Sequence, residues 1–401
     1  MKKKLIGLVL TAAMVGSMLA GCGSSAASTA TSTAASTAAS TAASTAASTA
    51  ASTAASTAAS TAASTATSTA AGGGKVVGVA MPTKDLQRWN QDGENMKKQL
   101  EAAGYTVDIQ YASNDINTQV SQIENMVAEP VDCLVIASID GSSLSTPLSD
   151  AKAAGIPIIA YDRLLTDTEA VDYYATFDNE KVGQIQGQYI VDKLDLTNAS
   201  GKTFNIELFT GDPGDNNAQL FWKGAITDTL QQYIDSGVLV VKSGQKDFAS
   251  CATAEWKTET AQSRMDDLLS SYYADGSQLD AVMCSNDSTA LGVENSLEQN
   301  YAGSNWPIIT GQDCDVANVK NMIAGKQSMS VFKDTRQLAE QTVKMVGQIL
   351  TGATVEVTEG GAYNNGKIDV PTYLCTPEFA DASNYQKLLI DSGYYTADQL
   401  K

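Results

Sequence analysis

The sequence predicts an α/β protein with two Rossmann-like lobes, each built on a parallel sheet. Short apolar runs alternate with helical hydrophobic periods from Lys75 onward, which is the pattern of βαβ units. Residues 75–401 form a segment longer than a single hydrophobic core usually supports, and its length suits two lobes with separate cores. The strand pattern also restarts after a helix expected at 180–194. These three observations favour two similar lobes joined by several crossings.

The first lobe follows from residues 75–178 in order. The expected strands there are 76–81, 106–111, 133–138, 157–161 and 173–177, and the expected helices are 85–103, 117–128 and 144–154. Residues 157–161 are mostly apolar and lie between Gly155 and a polar pair, which is typical of a buried parallel strand.

The second lobe follows from residues 179–333. Expected strands are 204–209, 238–242, 281–285, 308–311 and 329–332, and expected helices are 180–194, 216–235, 257–273, 288–299 and 316–324. A helix over 335–350, a strand near 355–357, a turn at Asn365-Gly366 and a strand over 368–374 indicate a return to the first lobe and back. We therefore expect lobe 1 to hold about 75–178 and 334–370, lobe 2 about 179–333 and 371–401, and the hinge to have three crossings.

The N-terminal region predicts export. Residues 1–22 carry three lysines, an apolar run and Leu-Ala-Gly-Cys22, which together form a secretory signal. Its end resembles the bacterial lipobox, in which the cysteine becomes the lipidated N-terminus. Residues 23–74 are dominated by Ala-Ser-Thr-Ala repeats, whose small side chains bury too little area to form a core. We expect this segment to be a disordered tether.

Composition narrows the function. The chain has 26 Lys+Arg, 45 Asp+Glu and no histidine, for a net charge of −19. This acidity argues against nucleic acid as a partner, and the lack of histidine removes Ser-His-Asp catalysis and the commonest metal ligand. Glycine patterns for dinucleotide or P-loop binding are missing. We expect no cofactor, no metal and no required disulfide, and an enzyme is the weaker interpretation.

Polar residues follow the expected strands of both lobes. Asp162 and Arg163 come directly after 157–161, and a carboxylate beside a guanidinium can grip neighbouring hydroxyls. Ligands of open α/β sheets bind at the carboxyl ends of the strands. Taken singly, each such residue is more simply a strand-end salt bridge or a helix cap. Polar stretches also follow other expected strands, at residues 83–88, 212–217, 285–287, 312–313 and 333–334.

Residues 75–401 resemble the type I periplasmic sugar-binding proteins of ABC importers, with the multiple-monosaccharide and xylose-binding members nearest. The stretches that carry the resemblance include VGVAMPTKDLQRW, IIAYDRL, FNIELFTGDPGDNNA, CSNDSTALG, IITGQD and SMSVFKDT, in this order and spacing. The resemblance implies a monomeric, lipid-anchored protein on the outer face of the cell membrane, which captures a monosaccharide and delivers it to the membrane permease of an ABC importer.

The resemblance also implies a sugar site. Lys84 and Arg88 would donate from the first loop, while Asp162 and Arg163 would bind a vicinal hydroxyl pair. Asn217, Asn286, Asp313 and Lys333 would close over the sugar, and Trp89 and Trp256 would cover its faces. For Trp256, ordinary core packing is an equally good interpretation.

Two other functions stay open. The first is a sugar sensor that presents its closed form to a signalling receptor. The second is a glycosidase, which needs two facing carboxyl groups, with Asp162 and Asp313 as the candidates. Repressors of the lactose-repressor type fit poorly, because residues 1–74 hold no DNA-binding helix-turn-helix.

Overall fold

The first sheet belongs to lobe 1. The computed structural model describes residues 74–358 and 360–401, so the expected signal, Cys22 and the tether lie outside the described residues. Lobe 1 begins with β1 (Val76–Met81), α1 (Gln87–Ala102), β2 (Thr106–Tyr111), α2 (Ile116–Ala128), β3 (Cys133–Ile136), α3 (Ser145–Ala153), β4 (Ile158–Tyr161) and β5 (Tyr173–Phe177). Each strand pairs in parallel with its neighbours, in the order β5-β4-β3-β1-β2. Apolar clusters cover both faces, as a parallel sheet requires.

The second lobe repeats this plan with a smaller sheet. Its elements are α4 (Asn179–Lys193), β6 (Phe204–Phe209), α5 (Asn216–Trp222), a π-helical segment Lys223–Leu230, α6 (Gln231–Asp235), β7 (Leu239–Val241), α7 (Phe248–Cys251), α8 (Thr258–Tyr272), β8 (Ala281–Cys284), α9 (Asp287–Asn300), β9 (Ile308–Ile309), α10 (Val316–Ile323) and β10 (Met329–Phe332). The sheet order is β7-β6-β8-β9, all parallel, and an isolated bridge joins Gln312 to β10.

The chain then returns to lobe 1 and leaves it again. The last elements are α11 (Thr335–Thr351), β11 (Ala362–Asn364), β12 (Asp369–Cys375) and β13 (Glu378–Asp381), followed by a π-helical turn Gln386–Asp391. Strand β12 pairs in parallel with β5, and β13 pairs antiparallel with β10. The α/β fold with parallel-dominated sheets, expected from the sequence, is confirmed.

Two details of the expectation are wrong. The boundary expected between residues 370 and 371 lies after Cys375 instead, because β12 stays paired with β5 as far as that residue. Residues 355–357 form no strand. The neighbouring Thr358 contacts β12 through two hydrogen bonds: its N–H donates to Thr372 O at 3.0 Å, and its Oγ1 accepts from the Leu374 N–H at 2.8 Å.

Helix α4 packs at very short range against the end of α5 and the π-helical segment that follows it. A Cβ at Gly183 would lie 2.1 Å from Phe221 O, and one at Gly224 would lie 2.0 Å from Glu180 O. Only glycine allows the two backbones to approach so closely. This contact fixes α4, the first element after the crossing from β5, against the body of lobe 2.

Among residues 74–358 and 360–401, no helix is both long and apolar enough to cross a membrane. The five cysteines in this part of the chain are buried free thiols: Cys133, Cys251, Cys284, Cys314 and Cys375.

Candidate functional site

A cavity lies between the lobes, where strand ends of the two sheets meet. Lobe 1 supplies residues from α1 and from the turn after β4. Lobe 2 supplies residues that follow β6, β8 and β9, including the first turns of α5 and α9, and Trp256 from the segment between α7 and α8. Lys333 lies where β10 leaves that lobe. The lining residues are Leu86, Arg88, Trp89, Asp162, Arg163, Asp215, Asn217, Phe221, Trp256, Asn286, Ser288, Gln312, Asp313, Asp315 and Lys333.

Arg88 is the centre of the charge network. Its Nη2 donates to Asp162 Oδ1 at 2.9 Å and its Nη1 to Asp313 Oδ1 at 2.8 Å, so one guanidinium joins a carboxylate of each lobe. Its Nε donates to Asp92 Oδ2 at 2.5 Å. Lys333 Nζ adds a contact to Asp313 Oδ1 at 3.2 Å. The geometry holds carboxylate and cationic groups together in a buried space, where charge-assisted bonds are strong.

Asp162 is held in an unusual backbone conformation. Its φ is 59°, in the left-handed region that non-glycine residues seldom adopt. Its carbonyl oxygen accepts hydrogen bonds from Tyr174 Oη at 2.7 Å, Thr176 Oγ1 at 2.9 Å and Asn217 Nδ2 at 2.7 Å. Burial alone would raise the pKa of Asp162, but Arg88, with Lys333 and Arg163, holds that pKa below its usual range. The carboxylate is therefore kept ionised and fixed in direction.

Asp92 supports Arg88 from behind. It is fully buried, four residues after Arg88 on α1, and it accepts a 2.5 Å hydrogen bond from Tyr161 Oη. Burial raises the pKa of Asp92 to about 6, although the nearby guanidinium opposes the rise. With its Nε held by Asp92, Arg88 directs both Nη atoms toward the cavity.

Lobe 2 presents its groups from loops with equally restricted backbones. Asp313 has φ 96°, and its N–H donates to Val331 O at 2.8 Å. Asn286 caps α9 through a capping box with Thr289, and its Nδ2 donates to Ser288 Oγ at 2.8 Å. These local bonds fix the two loops before any ligand arrives.

Arg163 is tied to both walls of the cavity. Its Nη1 donates to Ser138 O at 3.0 Å, and its Nε lies 2.9 Å from Asp215 Oδ2 in an ion pair. Burial raises the pKa of Asp215, with Arg163 opposing that rise. The Arg163 guanidinium also lies 4.9 Å from the centre of the Trp89 ring, a cation–π contact.

Aromatic side chains form the apolar part of the lining. Trp89 and Trp256 are 4% and 5% exposed, so both are largely buried while still bordering the cavity. Phe221 meets Trp256 edge-on at 6.2 Å between centroids. The indole Nε1 of Trp256 has no hydrogen-bond partner within the described residues. Trp256 thus packs in a core cluster and lines the cavity at once.

The structure brings nine of the ten expected site residues to the cavity. Lys84 is the exception, because it lies in an exposed turn before α1 begins, with its Nζ 4.6 Å from the centre of the Tyr111 ring. Sequence reasoning missed Asp92, Asp215 and Asp315. The spacing of four residues between Arg88 and Asp92 on a helix was the signal for the first.

The comparisons with known proteins decide the family. A periplasmic binding protein domain model matches residues 77–354, more than half of the chain. The chain belongs to the periplasmic binding protein family. A member from Rhizobium radiobacter, the multiple sugar-binding periplasmic receptor ChvE, is 52% identical over 328 residues, covering 81% of this chain and 92% of that protein.

Two further members agree with this placement. The D-xylose-binding periplasmic protein of Escherichia coli K12 is 36% identical over 325 residues, 81% of this chain and 92% of that protein. A crystal structure of a solute-binding protein from Clostridium phytofermentans with β-D-glucose bound is 65% identical, with a TM-score of 0.80, and covers 82% of this chain and 100% of that one. The resemblance to multiple-sugar-binding and xylose-binding members is confirmed.

Proposed function

We propose that this protein captures a monosaccharide outside the cytoplasm and delivers it to an ABC importer. The ligand is an aldopentose or aldohexose such as xylose, arabinose, galactose or glucose. The observation that carries the proposal is the Arg88 bridge, in which one guanidinium joins Asp162 of lobe 1 to Asp313 of lobe 2 inside the cavity. A ligand bound there touches both lobes, so its binding energy holds them together.

The lining matches a sugar chemically. Hydroxyls both donate and accept, so carboxylates such as Asp162 and Asp313 can accept hydrogen bonds from them while Arg163 and Asn286 donate to their oxygens. The faces of a pyranose carry C–H groups, which suit the flat ring of Trp89. Relatives named for sugar or xylose binding, and the glucose in the Clostridium structure, support the same ligand class.

Binding without catalysis fits the charges better than a glycosidase does. A glycosidase needs a carboxylic acid whose pKa is raised so that it can protonate the leaving group. The neighbouring cations hold the pKa of Asp162 below its usual range, and Asp313 is bound to the same guanidinium. The two candidate carboxylates therefore serve better as fixed hydrogen-bond acceptors.

Sugar titration tests the proposal. Calorimetry against a panel of aldopentoses and aldohexoses should give saturable heat for at least one of them. Asp162→Asn and Asp313→Asn should each weaken that binding by at least about 2 kcal/mol, roughly thirtyfold, because a buried partner loses its charge-assisted bond. Asp391→Asn, an exposed control, should bind like the parent. Parent-like affinity in both cavity variants would place the ligand elsewhere.

We also infer a hinge motion. The chain crosses between the lobes after β5, at Lys333 before α11, and after Cys375. Three short crossings allow the lobes to open and close around the cavity. X-ray scattering should show a smaller radius of gyration with saturating sugar than without it. An unchanged radius would contradict the hinge.

Anchoring through Cys22 completes the proposal. The Lys-rich start, apolar run and Leu-Ala-Gly-Cys support acylation of this cysteine, and residues 23–74 would then tether lobe 1 to the outer face of the membrane. Detergent partitioning separates the possibilities. The parent should enter the detergent phase and Cys22→Ala should stay in the aqueous phase, whereas equal partitioning of both would exclude a lipid anchor.

A second role is a sugar sensor whose closed form is bound by a signalling receptor. This role is favoured by the likeness to the Rhizobium radiobacter relative, which is named a periplasmic receptor. Uptake of labelled sugar by cells with and without this protein distinguishes the roles. Loss of uptake supports delivery to an importer, and unchanged uptake with a lost sugar response supports sensing.

A further inference from the structure

Asp315 is a cavity residue whose side chain forms no hydrogen bond within the part of the chain that the structure describes. It lies two residues after Asp313, at the N-terminal cap of α10, and borders the cavity. No donor in residues 74–358 or 360–401 bonds to its carboxyl group, and its Oδ1 is shielded from solvent. Asp315 as a whole is half-buried, but a carboxyl oxygen that is shielded from water and has no hydrogen-bond partner is costly, so its presence calls for an explanation.

Helix capping does not explain it. Aspartate at this position ordinarily accepts a hydrogen bond from the first turn of the helix, as Asp115 does from Thr118 N–H at 2.6 Å. At α10 the Val316 N–H donates instead to Gln87 Oε1 of lobe 1, at 3.1 Å, and the Asp315 side chain forms no cap bond. The carboxyl group is therefore free to serve the cavity.

The surrounding charges leave the carboxyl group unsatisfied. Burial raises the pKa of Asp315 to about 7, the Asp313 carboxylate adds to the rise, and Arg88 and Lys333 oppose it. Those two cations already contact Asp313 at 2.8 and 3.2 Å. Neither forms an ion pair with Asp315 in the part of the chain that the structure describes. A molecule that fills the cavity can supply a hydrogen-bond donor to this carboxyl group.

We propose that Asp315 is a ligand-contacting residue whose carboxylate accepts a hydrogen bond from a hydroxyl of the bound sugar. The assignment rests on the proposed function and deepens it, because it adds a lobe 2 contact to those expected from Asn217, Asn286 and Asp313. The contact supplies the bond that the protein itself does not provide. It selects sugars that carry a hydroxyl directed at α10 over those that lack one.

The contact links sugar affinity to pH. A hydroxyl donates more strongly to an ionised carboxylate than to a neutral acid, so sugar binding favours loss of the Asp315 proton. Affinity should therefore rise as pH increases through about 7. Asp287 Oδ2 accepts a hydrogen bond from the Asp315 N–H at 2.8 Å. The titratable and charged groups that face Asp315 are Asp313, Asp287, Cys314, Tyr395, Arg88 and Lys333. Burial raises the pKa of Asp287 well above its ordinary value, and burial likewise raises the pKa of Cys314 and of Tyr395.

Asp92 is the other buried acid near this range, since its pKa is raised to about 6. It contacts Arg88 and lies outside the direct surroundings of Asp315. A pH response that comes from Asp92 will survive replacement of Asp315, and one that comes from Asp315 will not. The two sources are separated by a single substitution.

The experiment is calorimetric titration of the full chain with D-glucose and D-xylose at pH 6 and pH 8. We compare the parent, Asp315→Asn and the matched cap variant Asp115→Asn. The parent and Asp115→Asn should bind roughly tenfold more tightly at pH 8 than at pH 6. Asp315→Asn should bind roughly tenfold more weakly than the parent at pH 8 and show no such pH response.

Thermal unfolding without sugar separates contact from structure. Asp315→Asn should be at least as stable as the parent, because it removes an acid whose shielded Oδ1 has no hydrogen-bond partner among the described residues. Lower stability with an equal loss of affinity at both pH values would make the residue structural and overturn the assignment. Parent-like affinity of Asp315→Asn at both pH values would overturn it too. If the parent binds neither these sugars nor any in the panel, the proposed function itself is wrong.

Discussion

Replacing Arg88 by methionine should reveal how far the buried charges depend on one cation. The guanidinium contacts three carboxylates, Asp92 at 2.5 Å, Asp162 at 2.9 Å and Asp313 at 2.8 Å. Lys333 remains near Asp313 after the substitution. Asp92 then keeps one hydrogen bond within the described residues, from the Tyr161 hydroxyl. Removing one partner of a buried ion pair costs about 3–5 kcal/mol. We expect a loss of that size in unfolding free energy at pH 8.

The loss should shrink in acid. Arg88 lowers the pKa of Asp92, which burial raises to about 6, and it also holds the pKa of Asp162 below the usual range. Without the guanidinium both pKa values rise, so the folded variant takes up protons that the unfolded chain has already released. The deficit relative to the parent therefore grows with pH above about 6 and is smaller at pH 5.

Urea unfolding followed by tryptophan fluorescence at pH 5 and pH 8 measures this difference. Arg336→Met is the matched control, because Arg336 pairs with Asp334 at 2.6 Å and its side chain is 35% exposed. A surface pair of this kind should contribute no more than about 1 kcal/mol at either pH. If Arg88→Met costs no more than the control at pH 8, the buried network does not depend on Arg88 and the reasoning fails.

Two other changes test how the cavity is framed. Gly211→Ala should weaken sugar binding at least roughly tenfold, because a Cβ there would lie 1.9 Å from the Trp256 ring and would displace it. If the sugar affinity and the tryptophan fluorescence spectrum are both unchanged, the ring has room for the extra methyl group. Tyr395→Phe should weaken sugar binding by a few fold without changing which sugars bind. The Tyr395 hydroxyl accepts from Gln87 and Gln91 of lobe 1, both at 2.8 Å, and donates to Cys314 O of lobe 2, so it joins the lobes. A change in sugar preference would contradict a purely interlobe role.

Much of the fold followed from hydrophobic pattern. Strands β1, β2, β5, β6 and β10 have the bounds expected from sequence, because each is a short apolar or alternating run. Strands β11 and β13 were not expected. Each has only three or four residues, of which two are exposed, so neither carries the buried pattern on which the prediction depends.

The last crossing shows a related limit. Pattern alone placed the lobe boundary at residue 370, but β12 alternates buried and exposed residues beyond that point and continues to Cys375. Whether a strand belongs to one sheet or another depends on its partner, and here the partner is β5, almost 200 residues earlier. Pairing over such a distance leaves no local signal in the sequence.

The position of a residue after a strand predicted which side chains would reach the candidate site. It did not predict the backbone conformations of those residues. Asp162 and Asp313 both follow strands, so their meeting at the cavity was expected; their positive φ values, 59° and 96°, were not. Trp256 has φ 57° and shares this feature. Such conformations are costly and persist only where the surroundings impose them, as the three donors to the Asp162 carbonyl do.

Lys84 and Arg88 illustrate the same distinction within one loop. Both follow β1 and both are cationic, so position and charge in the sequence predict that both line the cavity. Helix α1 begins at Gln87, however, and only a residue within its first turns can face inward and be held by Asp92 four positions later. Lys84 precedes the helix and points to solvent beside Tyr111. A cation becomes part of this site because a rigid element and a buried acid orient it, and charge alone does not suffice.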